Sequence, residues 1–178
     1  MNSNTLIVNL IGGPSSGKST MAAGLFYELK RLGHSCELVT EFAKELTWEE
    51  RKGALQCQAY IFGKQFHRID RLVGKVEVII TDTSILYNPI YQPEHYPPSF
   101  EKCIVDFYRI QNNITFNVER MHQYVDEGRN QNVIEATHID KLLKSLMLRN
   151  KIPFESVKGN EEGLQYVLNT IVELFNIH

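Results

Sequence analysis

The sequence predicts an α/β fold, a parallel sheet covered by helices on both faces, and three observations carry that expectation. Apolar runs of strand length alternate with segments of helical periodicity in the order βαβαβαβαβα. Between the first strand and the first helix lies Gly12-Gly13-Pro14-Ser15-Ser16-Gly17-Lys18-Ser19-Thr20, which fits G-x-x-x-x-G-K-[ST], the phosphate-binding loop. Acidic residues, Glu41 and Asp82, stand at the C-terminal ends of the second and third strands, where open α/β sheets place their ligands.

Residues 5–11 form an apolar, β-branched run, read as a buried first strand. Met21, Leu25, Leu29 and Leu32 then recur at helical spacing over 18–32, and Gly33 stops that helix. Residues 35–40 read as strand two. A short helix and turn around Trp48 occupies 41–53, followed by a long helix over 54–73 carrying Leu55, Ala59, Phe62, Phe66, Ile69, Leu72 and Val73. Residues 76–81 are strand three. Residues 83–98 hold four prolines and three tyrosines, a long loop of the kind that often carries function. Ser99 caps a helix over 100–111, and 113–118 is strand four. Asn132 with Glu135 resembles a capping box opening a helix over 133–149. Strand five, 152–157, reads as an edge because of Pro153, and the last helix is 161–176. No repeat or linker interrupts the chain, so 1–178 reads as a single domain.

Composition narrows the function classes. Hydrophobic residues make up 43% and charged ones 22%, and the net charge is −2 with no long basic run, which argues against a chain built mainly to hold nucleic-acid backbone. Cys36, Cys57 and Cys103 are far apart and the six histidines show no ligand spacing, so reduced thiols in a cytosol are expected rather than a zinc site or disulfides. No export signal and no apolar run of membrane-spanning length is visible.

The loop's chemistry accounts for its residues. Backbone N–H groups at a helix N-terminus surround polyphosphate charge, and the helix dipole favours the anion. Gly12 and Gly17 keep Cβ atoms away where the chain turns or nears phosphate. Lys18 is expected to reach the β- and γ-phosphates of ATP, Ser19 to sit on Mg²⁺, and Thr20 to bond the α-phosphate, with Gly13, Pro14, Ser15 and Ser16 completing the cradle. Asp82, ending an apolar strand, is a second Mg²⁺ anchor or alternatively a turn cap. Glu41 is placed to orient or deprotonate an acceptor hydroxyl, and the two carboxylates are free to exchange roles. Arg120 and Arg129 are candidate cations for the moving phosphoryl group, or alternatively solvated loop arginines. Lys44 is a candidate contact for substrate phosphate, and Trp48, Tyr87 and Tyr91 are candidates for stacking on a base, each weighed against an ordinary core or surface role.

Taken with Thr40-Glu41-Phe42-Ala43-Lys44, Thr81-Asp82-Thr83-Ser84, the stretch from Tyr124 to Gln131 and Pro153-Phe154-Glu155-Ser156-Val157, the loop resembles the small P-loop kinases. The nicotinamide riboside kinase-like ATPase/kinase family, with its short bacteriophage-encoded members, is the nearest likeness, and deoxynucleoside kinases are a looser one. The resemblance implies a three-layer P-loop kinase fold with strand order 2-3-1-4-5, phosphoryl transfer from ATP to a hydroxyl, and an arginine-bearing lid at about 119–132, in which Arg129 carries the greater weight. Deoxynucleoside kinases have a glutamate matching Glu41, and Gln58-Ala59-Tyr60 looks like their base-reading Gln-x-Tyr segment. One departure stands: the bifunctional riboside kinases have Asp-Thr-Asp where this chain has Asp82-Thr83-Ser84. The implied acceptor is a nucleoside, nucleotide or riboside. A modified base or end of DNA is the alternative, a nucleotide-dependent switch without acceptor is a third reading, and the oligomeric state, a homodimer included, stays open. For a phage-encoded chain the compartment is the host cytoplasm.

Overall fold

The computed structural model describes residues 5–121 and 133–176. Five strands, β1 (Leu6–Ile11), β2 (Cys36–Val39), β3 (Val78–Thr81), β4 (Asn113–Glu119) and β5 (Glu155–Lys158), form one sheet in the order β2-β3-β1-β4-β5. All four pairings are parallel, so every strand's C-terminal end opens on the same edge. This is the α/β arrangement and the strand order expected above.

β1 lies at the centre, buried along its whole length, and alternation divides its side chains between two cores. Leu6, Val8 and Leu10 pack with Met21, Leu25 and Leu29 of α1 (Lys18–Arg31) and with Val167, Leu168 and Ile171 of the last helix. Ile7 and Ile11 face the other way, toward Ile69, Ile104, Val105, Leu146 and Met147. Helices therefore cover both faces of β1, and the sheet is sandwiched as a parallel sheet must be.

The remaining helices are α2 (Phe42–Trp48), α3 (Lys52–Leu55), α4 (Gln58–Asp70), α5 (Ser99–Arg109), α6 (Val133–Arg149) and α7 (Glu161–Asn176). The single long helix expected over 54–73 is instead two. Gln58 Nε2 donates to the Leu55 carbonyl at 3.1 Å, supplying by side chain a bond that would otherwise continue the helix, and Cys57 leaves helical geometry at ψ 84°. The break rotates α4 so that Gln58, Ile61, Gln65 and Ile69 are buried, while Ala59 of the expected apolar stripe is exposed. Ser99 is the first helical residue of α5 rather than its cap, Pro98 preceding it. Pro153 lies before β5, which is nonetheless an edge strand. Asn132 of the expected capping box lies outside the described residues.

Between β3 and α5 the long loop is not loose. Ser84 Oγ accepts from the Leu86 N–H at 3.3 Å and opens a 3₁₀ turn over Ile85–Tyr87. Tyr96 Oη accepts from the Ala59 N–H at 3.2 Å, pinning the far end of the loop to the start of α4.

In the first turn of α5, Glu101 receives Arg149 of α6 on both carboxylate oxygens, at 3.0 and 2.6 Å. Those bonds, with help from Asn150 and against partial burial, hold the Glu101 carboxyl below its usual range. A depressed carboxylate contributes stability above its ordinary value and loses it as pH falls through the lowered one. Glu101→Gln is therefore expected to lower stability at neutral pH by at most about 1 kcal/mol, since the pair is partly screened by solvent. In thermal melts the difference from the parent should vanish in acid below the carboxylate range.

Candidate active site at the C-terminal edge of the sheet

The phosphate-binding loop follows β1 directly, and neighbouring strands fix it from several sides. Gly12 sits at φ 141° and Gly17 at φ 94°, both in the region that favours glycine. A Cβ on Gly12 would lie 2.7 Å from the Val118 carbonyl oxygen of β4. A Cβ on Gly159, just beyond β5, would overlap the Ser16 carbonyl oxygen. The loop is thus seated against β4 and β5 by backbone contact.

Lys18, the first residue of α1, turns its ammonium back over the loop and donates to the carbonyls of Gly12 and Gly13, at 2.8 and 3.0 Å. Ser19 Oγ donates to Asp82 Oδ2 at 2.6 Å, joining the first turn of α1 to the residue that ends β3. Asp82 is only 6% exposed, and its Oδ1 is buried without a hydrogen-bond partner, as is Ser16 Oγ. A buried carboxylate oxygen left unmatched costs free energy unless a cation or donor meets it. Among the described residues no group of three or more His, Cys, Asp or Glu is placed to hold a metal.

A cleft of about 310 Å³ opens beside this pair. One wall is the loop itself: Gly12, Pro14 to Lys18, Ser19 and Thr20. Gly13 lies behind that wall, its N–H donated to Asp140 Oδ1 of α6. The opposite wall carries Glu41, at the N-cap position of α2, together with Lys44 and Thr47 of the same helix. Gln65 sets that end of α2. Its Oε1 accepts from the Phe42 N–H at 3.0 Å and its Nε2 donates to the Thr40 carbonyl at 3.4 Å. The start of α2, and Glu41 with it, is thereby tied to the buried face of α4.

The floor is made by α4 and the 3₁₀ turn. Gln58 is buried, 6% exposed. Its Oε1 accepts from Asn88 Nδ2 at 3.1 Å, and both amides line the cleft. Tyr87 and Tyr91 line it too, their rings nearly parallel at 16° with centroids 6.5 Å apart. Tyr87 has a second task that the sequence did not show. Its hydroxyl donates to the Gly12 carbonyl at 2.6 Å and accepts from the Gly12 N–H at 2.8 Å, fastening the first glycine of the loop. Burial holds this phenol well above the ordinary tyrosine range, opposed by the Gly12 bond and reinforced by negative charge at Glu41 and Asp140.

Two expected contributors are placed elsewhere. Trp48 is 65% exposed and takes no part in the cleft wall, because Phe42 and Leu46 turn the apolar face of α2 inward and leave Trp48 on its outer side. Arg120, just after β4, does not line the cleft either. Its Nε and one terminal nitrogen donate to the Pro14 carbonyl at 3.2 and 2.9 Å, and the latter pairs with Asp140 Oδ2 at 3.3 Å. Arg129 and the expected lid from 122 onward lie outside the described residues.

Tyr87→Phe keeps the ring and removes only the hydroxyl, leaving the buried Gly12 N–H without its acceptor. The expected cost is about 1–3 kcal/mol of folding stability, measured by denaturant titration.

The profile of a protein family described as an AAA domain matches residues 7–163. A search of curated proteins found no match. Among solved structures, deoxyadenosine kinase from M. mycoides with bound dATP is similar, with TM-score 0.57 and 18% identity over 93% of this chain and 98% of that one. The same enzyme with products dCMP and a flexible dCDP bound matches with TM-score 0.57 and 18% identity, over 97% of this chain and 100% of that one. At such identity the likeness speaks for the fold, and it spans nearly the whole of both chains. No helix among the described residues is long and apolar enough to cross a membrane. With the family profile covering most of its length, the chain belongs to the AAA domain family, built on the P-loop kinase fold that deoxyadenosine kinase shares.

Proposed function

We propose that this protein transfers the terminal phosphoryl group of ATP to a hydroxyl of a small nucleoside-like acceptor, with Mg²⁺. The observation that carries the reading is a single cleft with the phosphate-binding loop and Lys18 on one wall and Glu41 with the Gln58–Asn88 amides on the other.

The residues present fit Mg²⁺. It is a hard cation that takes oxygen ligands, often one or two from protein beside phosphate oxygens. The Ser19 hydroxyl and the unmatched Asp82 Oδ1 are such a pair, in hydrogen-bonded contact through Oδ2. Bound there, the ion would neutralise charge on the β- and γ-phosphates. Engagement of Asp82 by Ser19 supports Glu41, rather than Asp82, as the base. The acceptor oxygen forms a bond to the γ-phosphorus, the bond to the β-phosphate oxygen breaks with its electron pair leaving on ADP, and the hydroxyl proton passes to the Glu41 carboxylate. Lys18 supplies positive charge over the loop, and the backbone amides of the α1 N-terminus supply more.

The acceptor wall suits a heterocyclic base. Paired amides offer donor and acceptor positions at fixed angles, and Tyr87 and Tyr91 offer flat faces. The proline-rich loop folds down to make part of this wall, which favours a small acceptor over a polymer strand. A nucleoside, nucleotide or riboside remains the acceptor class, and the solved deoxyadenosine kinase structures, with their deoxynucleotides, support the nucleoside end of it. The family match favours a second reading, ATP hydrolysis without any small acceptor.

An ADP-release assay with Mg²⁺ and a panel of deoxynucleosides, their monophosphates, ribosides and short DNA separates the two. Acceptor-dependent ADP formation is expected. Glu41→Gln should lower kcat by about 10²-fold or more with little change in nucleotide binding, and Asp82→Asn should lower it comparably by weakening Mg²⁺ affinity. Background hydrolysis unmoved by any acceptor would leave the ATPase reading in its place.

A further inference from the structure

We propose that Asp140 is a positioning residue of the phosphate-binding loop, bridging the Gly13 amide and Arg120 so that the loop is held ready for nucleotide.

The geometry is specific. One Asp140 oxygen accepts the Gly13 N–H, and the other accepts from Arg120 at 3.3 Å. Arg120 passes the restraint on by donating twice to the Pro14 carbonyl. No described peptide bond is cis, and in a trans peptide the C=O and the following N–H point in opposite directions. Turning the Pro14 carbonyl toward Arg120 therefore turns the Ser15 N–H to the other side of the loop. In the same way the Gly12 carbonyl, held by Lys18 and Tyr87, and the Gly13 N–H, held by Asp140, fix the peptide between them from both sides. Ser15 sits at φ 66°, a conformation that costs a non-glycine residue free energy and persists only where neighbours enforce it.

The approach of α6 is close enough to require this arrangement. A Cβ on Gly13 would overlap the Ala136 carbonyl oxygen and lie 2.9 Å from both Asp140 Oδ1 and the Arg120 guanidinium. Ala136 is fully buried and stands one helical turn before Asp140. The ion pair itself is largely shielded, with side chains 17% and 28% exposed. It joins the end of β4 and the second turn of α6 to one loop. Nothing in the spacing of the phosphate-binding motif calls for an aspartate so far along the chain, and a pair worth only its charge would not use each carboxylate oxygen on a different element.

The inference rests on the nucleotide-binding half of the proposed function and not on its acceptor. Calorimetric titration of the full chain with ADP and Mg²⁺ tests it in five forms: parent, Asp140→Ala, Asp140→Asn, Arg120→Ala and the Asp140→Ala/Arg120→Ala double variant. Asp140→Ala should weaken ADP binding about tenfold or more, and Asp140→Asn, of the same shape, should do so as well because its NH₂ cannot accept from Arg120. The Asp140→Ala/Arg120→Ala double variant should be little worse than either single one, as expected for groups acting through one chain of contacts. Melting curves without nucleotide identify any variant that is merely unfolded, and Asp140→Asn serves where Asp140→Ala does not fold. ADP affinity within twofold of the parent in a folded Asp140 variant overturns the proposal, as does additivity of the two single losses, whatever the acceptor assay gives. A parent that binds ADP but phosphorylates nothing overturns the kinase reading and leaves this one standing.

Discussion

The 2.6 Å bond from Ser19 Oγ to Asp82 Oδ2 is the contact on which the site depends. It exists because β1 and β3 are adjacent parallel strands, paired from Leu6↔Val78 to Asn9↔Thr81, so that the loop after one and the acid after the other emerge side by side. An antiparallel partner would carry Asp82 to the other edge of the sheet, and a different parallel neighbour for β1 would move it along the same edge, away from Ser19. The apolar burial of β1 between two helical layers therefore has a chemical consequence: it fixes a hydroxyl and a carboxylate at hydrogen-bond distance, one carboxylate oxygen still unmatched.

Around that contact the loop is held from both sides. Lys18 and Tyr87 grip the Gly12 carbonyl, Asp140 takes the Gly13 amide, and Arg120 takes the Pro14 carbonyl. Such preorganisation matters for phosphoryl transfer, where positioning and charge neutralisation supply most of the rate and a loop that must first be ordered spends binding energy on ordering. The same logic extends across the cleft, where Gln65 fixes the start of α2 beneath Glu41 and Asn88 fixes the Gln58 amide.

The sequence showed the parts of this that are local. Glycines at fixed spacing after a β-branched run marked the loop, and apolar strands ending in Glu41 and Asp82 marked the edge where the cleft lies. The 133–149 and 161–176 helices stand at the expected limits because their periodicity is uninterrupted. What stayed hidden is long-range. Asp140 lies 127 residues from the amide it accepts from, and Tyr87 lies 75 residues from Gly12. The tyrosine's ring suggested stacking, whereas its hydroxyl holds the backbone. Trp48 misled for a related reason: residue type suggested a base platform, but the direction in which α2 presents it was set by Phe42 and Leu46. The break before Gln58 was hidden because a side-chain amide, not a proline or glycine, ends the helical run. Likeness to solved structures supports the architecture and the matching profile gives the family, whereas the proposed acceptor wall is argued from this chain's own side chains.

A crystal structure of the protein with Mg²⁺ and a non-hydrolysable ATP analogue tests the central claim most directly. The account predicts the triphosphate in the loop with Lys18 swung onto it, and the ion beside Ser19 Oγ and Asp82 Oδ1, with Glu41 facing the γ-phosphate across the cleft. A triphosphate bound elsewhere, or an ion held without either Ser19 or Asp82, would contradict it.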